Sequence, residues 1–248
     1  RSRQTLEPGH RIARRCPPVH PRGDHGGAGG QVRPPPCPDG PRAAHGLPVA
    51  GMSTPSHQEF WNARYSERDF AYGTEPNQFF AQEIGKLSPA RALFPAEGEG
   101  RNAVYASQKG YEVYSFDTSI KAKDKAIELA KAHNASINYQ VGMLSDLHYP
   151  ENSFDGIVLI YAHVPNEIRN DFHKHLIRLL KPGGVVLFEA FSKEQLNYSS
   201  GGPQDYDMLF SEEEIKTEFS SLQFTQLETL EHFVHRTFNG QDFVGFVK

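Results

Sequence analysis

Segments with the patterns of strands and helices alternate along most of this chain, and this alternation limits its fold more than any other feature. Five short apolar runs typical of buried strands occur at 90–94, 111–117, 137–142, 153–162 and 185–191, and helical patterns lie between them. The residues KPGG at 181–184 predict a turn from the last of these helices into the strand at 185–191. Strands that alternate with helices form right-handed βαβ units, which build a mostly parallel sheet. The pattern therefore predicts an α/β fold with a doubly wound sheet.

The end of the chain departs from this alternation. Two strand patterns at 224–234 and 241–248 are joined by a turn at 238–240, so we expect a C-terminal antiparallel hairpin and a mixed sheet. In sheets of this class, ligands bind beyond the carboxyl ends of the strands, near the point where the strand order reverses. The functional residues are therefore expected in the loops that follow the strands.

Residues 1–51 differ from the rest of the chain in composition. Residues 1–50 hold 10 of the 18 prolines and both cysteines, and they contain no Lys, Phe, Tyr or Trp. Such a segment cannot bury enough apolar surface to offset the entropy of ordering, so we predict a disordered tail rich in Arg, Pro and Gly. Met52 resembles a natural start, and the tail resembles translated upstream sequence; a partner-binding tail is the alternative. The folded domain is predicted at 52–248.

The predicted domain is acidic. After residue 50 the chain has 18 basic and 27 acidic side chains, a net charge of −9. An acidic domain is a poor candidate for binding nucleic acid. It has no cysteine for a thiolate metal site and no apolar run of membrane-spanning length. We therefore expect a cytoplasmic protein, monomeric or weakly dimeric, that acts on a small molecule and binds no nucleic acid, membrane or metal.

Four histidines were considered as metal ligands. His173 and His175 are expected on the solvated side of a helix, and no carboxylate or cysteine spacing joins them to His232 and His235. The sequence therefore predicts no metal site.

A glycine-rich loop follows the first strand pattern. Residues 98–103 satisfy the G-x-G-x-x-G/A form of a dinucleotide fingerprint, and a helix beginning at Arg101 offers free N–H groups to an anion. Asp117 lies at the tip of the next strand, where a carboxylate can bind both ribose hydroxyls. From these residues alone, a plain glycine turn with a helix-capping Asp is an equally good interpretation.

Several longer segments resemble one family. They are FWNARYSERDFAYGTEPN, GEGRNAV, GYEVYSFDTS, SFDGIVLIYAHVP, RLLKPGGVVLFEAF and GGPQDYDMLFS, in this order from about residue 57 onward. In them the chain resembles the class I S-adenosylmethionine-dependent methyltransferases. It is most similar to the small-molecule group that includes the tellurite-resistance methyltransferases, with thiopurine methyltransferase a more distant likeness. The resemblance implies S-adenosylmethionine as cofactor and a seven-stranded, Rossmann-like sheet whose last strand is antiparallel.

The resemblance also implies roles for individual residues. The methionine end of the cofactor would be surrounded by Gly98, Gly100 and Arg101, the ribose held by Asp117 and Thr118, and the adenine flanked by Met143 and Leu144. Tyr161 and His163 would lie under the reactive methyl group, and Trp61, Arg64, Tyr72 and Thr74 would close the site from the front.

The sequence departs from the family pattern in the glycine loop and at the predicted adenine site. Where the family commonly reads D-L-G-C-G-E-G, this chain has Phe94 in place of the acid and Ala96 in place of the first glycine. Glu97 is our candidate for the missing carboxylate, placed where it could meet the cofactor's ammonium group. Met143 stands where the family often has an acid for the adenine amino group, and Asp146 is a nearby substitute.

The catalytic candidates follow from the chemistry of methyl transfer, which needs a base only if the acceptor carries a proton at the moment of attack. His163 is the best candidate for that base, and the alternative is a pocket-lining histidine bonded to backbone. Tyr161 is better interpreted as a wall of the site than as a general acid. Glu189 could face the substrate, and the loop at 201–211 could close over it as a lid.

The predicted activity is methyl transfer to a small acceptor such as a thiol or a chalcogen oxyanion. Two alternatives stay open at this point. One is an NAD(P)-dependent oxidoreductase, which the loop and Asp117 permit; the other is a cofactor-binding protein with little or no methyltransferase activity, suggested by Phe94 and Met143.

Overall fold

The computed structural model describes residues 56–88, 90–197 and 202–227. The predicted tail, its boundary with the domain at 51–52 and nearly all of the predicted C-terminal hairpin lie outside these ranges. The first residues of that hairpin, 224–227, are described and form no strand.

Five strands of the described chain form one parallel sheet in the order β3-β2-β1-β4-β5. The strands are β1 (Arg91–Pro95), β2 (Glu112–Asp117), β3 (Asn138–Val141), β4 (Phe154–Ile160) and β5 (Leu180–Glu189). The prediction of a parallel α/β sheet is confirmed. The strand order reverses between β1 and β4, so the crevice beyond the carboxyl ends of these two strands is where a ligand is expected.

Six α-helices belong to the described chain: α1 (His57–Tyr65), α2 (Gln78–Ile84), α3 (Arg101–Gln108), α4 (Ile120–Ala132), α5 (Asn166–Leu179) and α6 (Glu212–Glu218). Their ends follow local chemistry. The Asn77 side chain accepts the N–H of Phe80, as predicted for an N-cap. Gly110, in the left-handed region at φ 90°, lies just past the end of α3. No helix within the described ranges combines the length and apolar composition that crossing a membrane requires.

The segment predicted as a turn before β5 is part of the strand. Pairing between β4 and β5 passes from Phe154–Leu180 directly to Gly156–Val185, so residues 181–184 bulge out of the ladder. Gly183, at φ 79°, supplies the left-handed residue of this bulge. The turn chemistry was read correctly, but it bends a continuous strand instead of preceding one.

The core lies on both faces of the sheet. On one face Leu93 and its neighbours pack with residues of α5 and α6, and on the other Phe94 packs with residues of α2 and α3. Phe94 is fully buried, and its ring meets that of Phe80 edge to face at 5.7 Å. A carboxylate at position 94 would be desolvated at this contact with the two helices.

The prediction that His173 lies on a solvated helix face is wrong. Its side chain is fully buried between α5 and α6, and its Nδ1 lies 2.5 Å from Glu218 Oε2. His175, two residues later, is partly exposed. The error came from the helical pattern of α5, in which a polar residue occupies a position that faces the core.

Candidate active site

The loop after β1 turns sharply at three residues with positive φ. These are Ala96 at 49°, Gly98 at 63° and Gly100 at 85°. A Cβ on Gly98 would lie 2.7 Å from the hydroxyl oxygen of Tyr65, and one on Gly100 would lie 2.7 Å from the Cβ of Ala126. Both glycines are therefore required by close packing against α1 and α4 as well as by the turn itself.

Glu97 caps α3 from within this loop. Its Oε1 accepts the N–H groups of Asn102 at 3.0 Å and Ala103 at 2.8 Å, two of the free donors at the helix start. Its Oε2 makes no hydrogen bond with the described part of the chain. Desolvation raises the pKa of Glu97 to about 7, although the two N–H donors and nearby Arg101 act in the opposite direction. The pKa indicates a carboxylate short of positive charge.

Asp117 joins the first two loops of the carboxyl edge. Its Oδ2 accepts the Gly98 N–H at 3.1 Å and its Oδ1 accepts the Ser119 N–H at 2.9 Å. The side chain is buried, and desolvation raises its pKa, against the effect of these hydrogen bonds. Asp117 thus lies at the strand tip, directly beside the glycine loop, as the sequence predicted.

Two tyrosines that the sequence did not single out complete the surroundings of Gly98. The Tyr139 hydroxyl donates to the Gly98 carbonyl at 2.6 Å, and Tyr65 lies against the same residue from α1. Burial, with the negative field of Asp117, Glu97 and Glu99, raises the pKa of both hydroxyls well above the ordinary value. Tyr139 could have been found from the inward alternation of β3, whereas nothing in the sequence pairs Tyr65 with the loop.

The helix α1 is fastened across the site. Gln58 donates to the Thr118 carbonyl at 2.9 Å, and Asn62 accepts the Ser119 hydroxyl at 2.6 Å. These contacts bring Trp61 to the front of the carboxyl edge, where its indole stacks on Tyr65 with ring centroids 5.3 Å apart. Thr118 therefore meets the front helix through its backbone.

Glu99 makes further contacts at the front of the site. Its Oε2 accepts the Ala71 N–H at 2.6 Å, and its Oε1 forms an ion pair with Lys125 at 2.7 Å. The buried carboxylate thereby ties the front loop to α4. This acid, unlike Glu97, has its counter-ion within the protein.

Two guanidinium groups meet at Tyr72. Arg101 Nη1 donates to the Tyr72 carbonyl at 3.1 Å, and the Arg64 guanidinium lies 5.6 Å from the centroid of the Tyr72 ring. No carboxylate of the described chain lies within 4 Å of either group. Thr74, also predicted at the front, is exposed on the same loop. Two positive charges without a close carboxylate partner in the described chain therefore lie at the front of the site.

The loop after β3 separates its two predicted adenine contacts. The side chain of Met143 is 47% exposed, whereas that of Leu144 is buried in the core. Any contact of Leu144 with an adenine would therefore involve its backbone. Asp146, the proposed substitute acid, accepts the Met143 N–H at 3.3 Å and the Ser145 hydroxyl at 3.2 Å. The acid is thus already engaged within its own loop.

The geometry does not support His163 as a general base. Its Nδ1 lies 2.8 Å from the Met208 carbonyl and its Nε2 accepts the Phe191 N–H at 3.3 Å, so the ring is neutral and both nitrogens are occupied. Burial lowers the pKa of His163 to about 4. The alternative interpretation, a pocket-lining histidine bonded to backbone, agrees with these contacts.

Tyr161 and Glu189 end neighbouring strands. Tyr161 has a φ of 54°, its N–H donates to the Glu189 carbonyl at 2.7 Å, and its ring packs 4.6 Å from that of Phe191. The Glu189 carboxylate accepts the Asn77 side-chain N–H at 2.6 Å, and the Asn77 backbone N–H donates to Asn102 at 2.8 Å. Glu189 therefore anchors the front loop to the sheet.

The predicted lid is fastened where it is described. The carbonyls of Asp207 and Leu209 both accept Arg169 Nη1, at 3.0 and 3.1 Å, and that of Met208 faces His163. Residues 198–201 lie outside the described ranges. Within the described part of this loop, residues 207–209 are therefore held by Arg169 and His163.

Other parts of the structure offer no better site. A shallow depression of about 560 Å³ lies at the opposite, amino edge of the sheet, and its charged side chains are paired as Arg91–Glu112 and Lys181–Asp155. Among the described residues, no group of three or more His, Cys, Asp or Glu side chains is arranged to hold a metal ion. The carboxyl edge is therefore the candidate active site.

Residues 95–184, which include the glycine loop and Asp117, match the family model of a methyltransferase domain. This stretch of the chain is similar to a methyltransferase domain. A curated relative, phosphoethanolamine N-methyltransferase 1 of Arabidopsis thaliana, is 25% identical over 122 residues, which cover 49% of this chain and 25% of the relative. The chain thus spans about a quarter of that relative's length.

Solved structures share the fold. A structure from work on the conversion of a disulfide bond into a thioacetal group during echinomycin biosynthesis matches with a TM-score of 0.64 and 17% identity, covering 77% of this chain and 88% of the other. TehB from Haemophilus influenzae matches with a TM-score of 0.57 and 21% identity over 77% of this chain and 64% of TehB. A SAM-dependent methyltransferase from Aquifex aeolicus matches with a TM-score of 0.52 and 18% identity, covering 75% of this chain and 97% of the other.

The residues at the carboxyl edge fit S-adenosylmethionine as the cofactor. Its sulfonium and ammonium groups are positively charged, and no Lys or Arg nitrogen of the described chain lies within 4 Å of the Glu97 carboxylate. The free Oε2 of that carboxylate is beside the glycine loop, and Asp117 lies at the adjacent strand tip. The charge of the site therefore complements the charge of the cofactor.

Proposed function

We propose that this protein transfers the methyl group of S-adenosylmethionine to a small-molecule acceptor. The observation that carries the proposal is the loop of residues 96–100, joined through Gly98 to Asp117, with one oxygen of Glu97 left for a cationic ligand. It lies at the reversal of the strand order, where open α/β sheets bind their ligands. The match of 95–184 to a methyltransferase domain supports the same conclusion.

In this proposal, each element of the edge holds one part of the cofactor. Glu97, Gly98, Gly100 and Arg101 hold the methionine end, Asp117 and Thr118 the ribose, and Met143 with the backbone at Leu144 the adenine. Bound there, the cofactor supplies a methyl group that is already a strong electrophile. The chain's own contribution is then to align the acceptor and to exclude water, for which Trp61 and Tyr161 are the proposed walls.

We further propose an acceptor that needs no general base. His163, the best sequence candidate for a base, has both ring nitrogens bonded to backbone, and Glu189 is bonded to Asn77. A thiolate or a chalcogen oxyanion attacks without losing a proton, whereas a protonated amine or alcohol must lose one. The positive front formed by Arg64 and Arg101 favours an anionic acceptor. Membership in the tellurite-resistance and thiopurine group is part of this proposal.

An acceptor panel tests the proposal. S-adenosylhomocysteine formation is measured with small thiols, selenite, tellurite and phosphoethanolamine as acceptors. We expect turnover with a thiol or an oxyanion and, at saturating S-adenosylmethionine, a thiol rate that follows the ionisation of the thiol alone. Turnover confined to phosphoethanolamine, with an enzyme group of pKa near 6 to 7 in the pH profile, would overturn the acceptor class and leave the methyltransferase activity intact.

The arginine variants sharpen the same test. Arg64→Gln should raise the KM for the anionic acceptor about tenfold, because a charge-assisted contact contributes about 1.5 kcal/mol or more, while the cofactor affinity changes little. The matched control is Arg68→Gln, an exposed arginine four residues later. Equal effects of the two variants would remove Arg64 from the acceptor site.

A further inference from the structure

Three rings lie along one stripe of α1. His57, Trp61 and Tyr65 recur every four residues, which places them on one side of the helix. The Trp61 indole N–H donates to His57 Nε2 at 3.1 Å, with the two rings edge to face at 71°. The same indole stacks on Tyr65 at an interplanar angle of 20°.

The stripe ends at the proposed cofactor loop. Tyr65 is the buried end of α1 and lies against Gly98, while Gln58 and Asn62 fasten the helix to Thr118 and Ser119. Trp61 therefore occupies the front of the site, and its orientation is set on one side by Tyr65 and on the other by His57. Only an unprotonated Nε2 can accept the indole N–H.

We propose that His57 is a positioning residue that holds Trp61 in place over the cofactor loop through this hydrogen bond, and that protonation of His57 releases the indole. The inference rests on the proposed function, because it assigns Trp61 to the cover of a cofactor site. A loosened indole lets water reach the bound cofactor and lowers its affinity. The effect should fall on cofactor KM, with kcat changed little, because His57 contacts neither reactant.

The pKa of His57 depends on its own burial and on no neighbouring charge. Desolvation alone lowers the pKa of His57, and no charged side chain contributes to the shift. The helix packed against α1 is α4, whose ionisable side chains toward its start are Lys121, Lys123, Asp124 and Lys125. Of these, Lys125 is paired with Glu99. On α1 itself, Glu59 is engaged by the backbone and side chain of Ser56.

The chain contains a single tryptophan, so its fluorescence reports on Trp61 directly. Emission of the full chain is recorded from pH 8 to pH 5 for the parent protein and for His57→Gln, His57→Phe and His133→Gln, with circular dichroism to confirm that each is folded. We expect a transition, with its midpoint below the ordinary pKa of histidine, in the parent and in His133→Gln. Both His57 variants should lack it.

Affinity for S-adenosylhomocysteine, measured by calorimetry over the same pH range, completes the test. Parent affinity should fall about three- to tenfold through the transition, the range that loss of one neutral hydrogen bond implies. His57→Gln, whose amide oxygen can accept the indole N–H without titrating, should lack this additional fall and keep only the pH dependence that Glu97 gives to both proteins. His57→Phe should bind weakly throughout. A transition that persists in His57→Gln, or full affinity in His57→Phe, overturns the inference.

The two proposals fail in different ways. If the parent does not bind S-adenosylhomocysteine at any pH, the proposed function fails, and the cofactor role of Trp61 fails with it. If the parent binds and the His57 variants match it in both fluorescence and affinity, only the role of His57 is overturned.

Discussion

Two sets of buried or partly buried charges in this molecule are compensated differently. At the contact of α5 and α6, the Arg169 guanidinium lies 2.8 Å from Glu218 and 3.4 Å from Glu214, above the ring of Phe210. At the carboxyl edge, Glu97 and Asp117 receive backbone N–H groups but have no cation of the described chain within 4 Å. Desolvation raises the pKa of both acids.

The difference separates a structural cluster from a binding site. A buried charge with a full set of partners contributes to one folded arrangement, and removing a partner leaves the other uncompensated. A buried carboxylate without a counter-ion is costly in the free protein and is a better place for a cationic ligand. Burial alone would have ranked Arg169 above Glu97 as a functional residue.

The largest effect is predicted for a substitution that breaks the structural cluster. Arg169→Leu should lower the free energy of unfolding by about 3 to 5 kcal/mol, since it leaves Glu218 buried without its partner. Urea denaturation measures the loss, with the exposed Arg178→Leu on the same helix as control. Cofactor affinity of the folded variant should stay within about twofold of the parent, if the α5–α6 region is structural. A stable Arg169→Leu with lost affinity would reverse our assignment of the two regions.

The next largest effect is a loss of cofactor affinity at the carboxyl edge. Asp117→Asn should weaken S-adenosylhomocysteine binding about 10- to 100-fold, because the hydrogen bonds of a charged acceptor are lost at the ribose and at Gly98. Calorimetry gives the affinity, and Asp124→Asn, exposed on α4, is the control. If both variants bind like the parent, Asp117 does not contact the cofactor.

Glu97 links stability to pH. Its folded pKa of about 7 lies above the ordinary value of 4.5, so the unfolded state loses this proton first. Stability from this group is present below about pH 4.5 and is lost as pH rises to about 7, by roughly 3 kcal/mol in the free protein. Cofactor affinity should rise over the upper part of that range, as the carboxylate forms.

Glu97→Gln isolates the charge, because its amide oxygen can still accept the two N–H groups at the start of α3. The variant should lose the fall in stability between these pH values and should bind the cofactor weakly at all of them. Denaturation and calorimetry at matched pH provide both readings. A pH profile of stability in Glu97→Gln that parallels the parent's would show that another group titrates.

The smallest effect concerns the backbone of the loop. Ala96 has a φ of 49°, a conformation that costs an L-residue about 1 kcal/mol and a glycine almost nothing. Ala96→Gly should therefore raise the free energy of unfolding by up to about 1 kcal/mol. The control Ala63→Gly, exposed within α1, should lower it by about the same amount. Loss of stability in both variants would mean that Ala96 is not strained.

The sequence predicted the features that depend on local patterns. The alternation of elements, the glycine loop and Asp117 at a strand tip all follow from periodicity and turn chemistry, which neighbouring residues determine. The parallel sheet was therefore predictable. The count of seven strands and the C-terminal hairpin stay predictions, since that part lies outside the described residues.

Features that depend on distant contacts could not be predicted in the same way. His163 was a reasonable base until the structure placed its two nitrogens against Phe191 and Met208, residues 28 and 45 positions away. The burial of His173 depends on α6, and the place of Tyr65 depends on how α1 crosses the glycine loop. Glu97 lies between these two cases. The sequence identified it as a candidate, but only the fold shows that it caps α3.

Calorimetric titration of the protein with S-adenosylmethionine, and separately with NAD and NADP, tests the central claim most directly. We predict one binding site for S-adenosylmethionine, affinity that depends on Asp117 and Glu97, and no detectable binding of either nicotinamide cofactor. Binding of NAD or NADP without binding of S-adenosylmethionine would contradict the account.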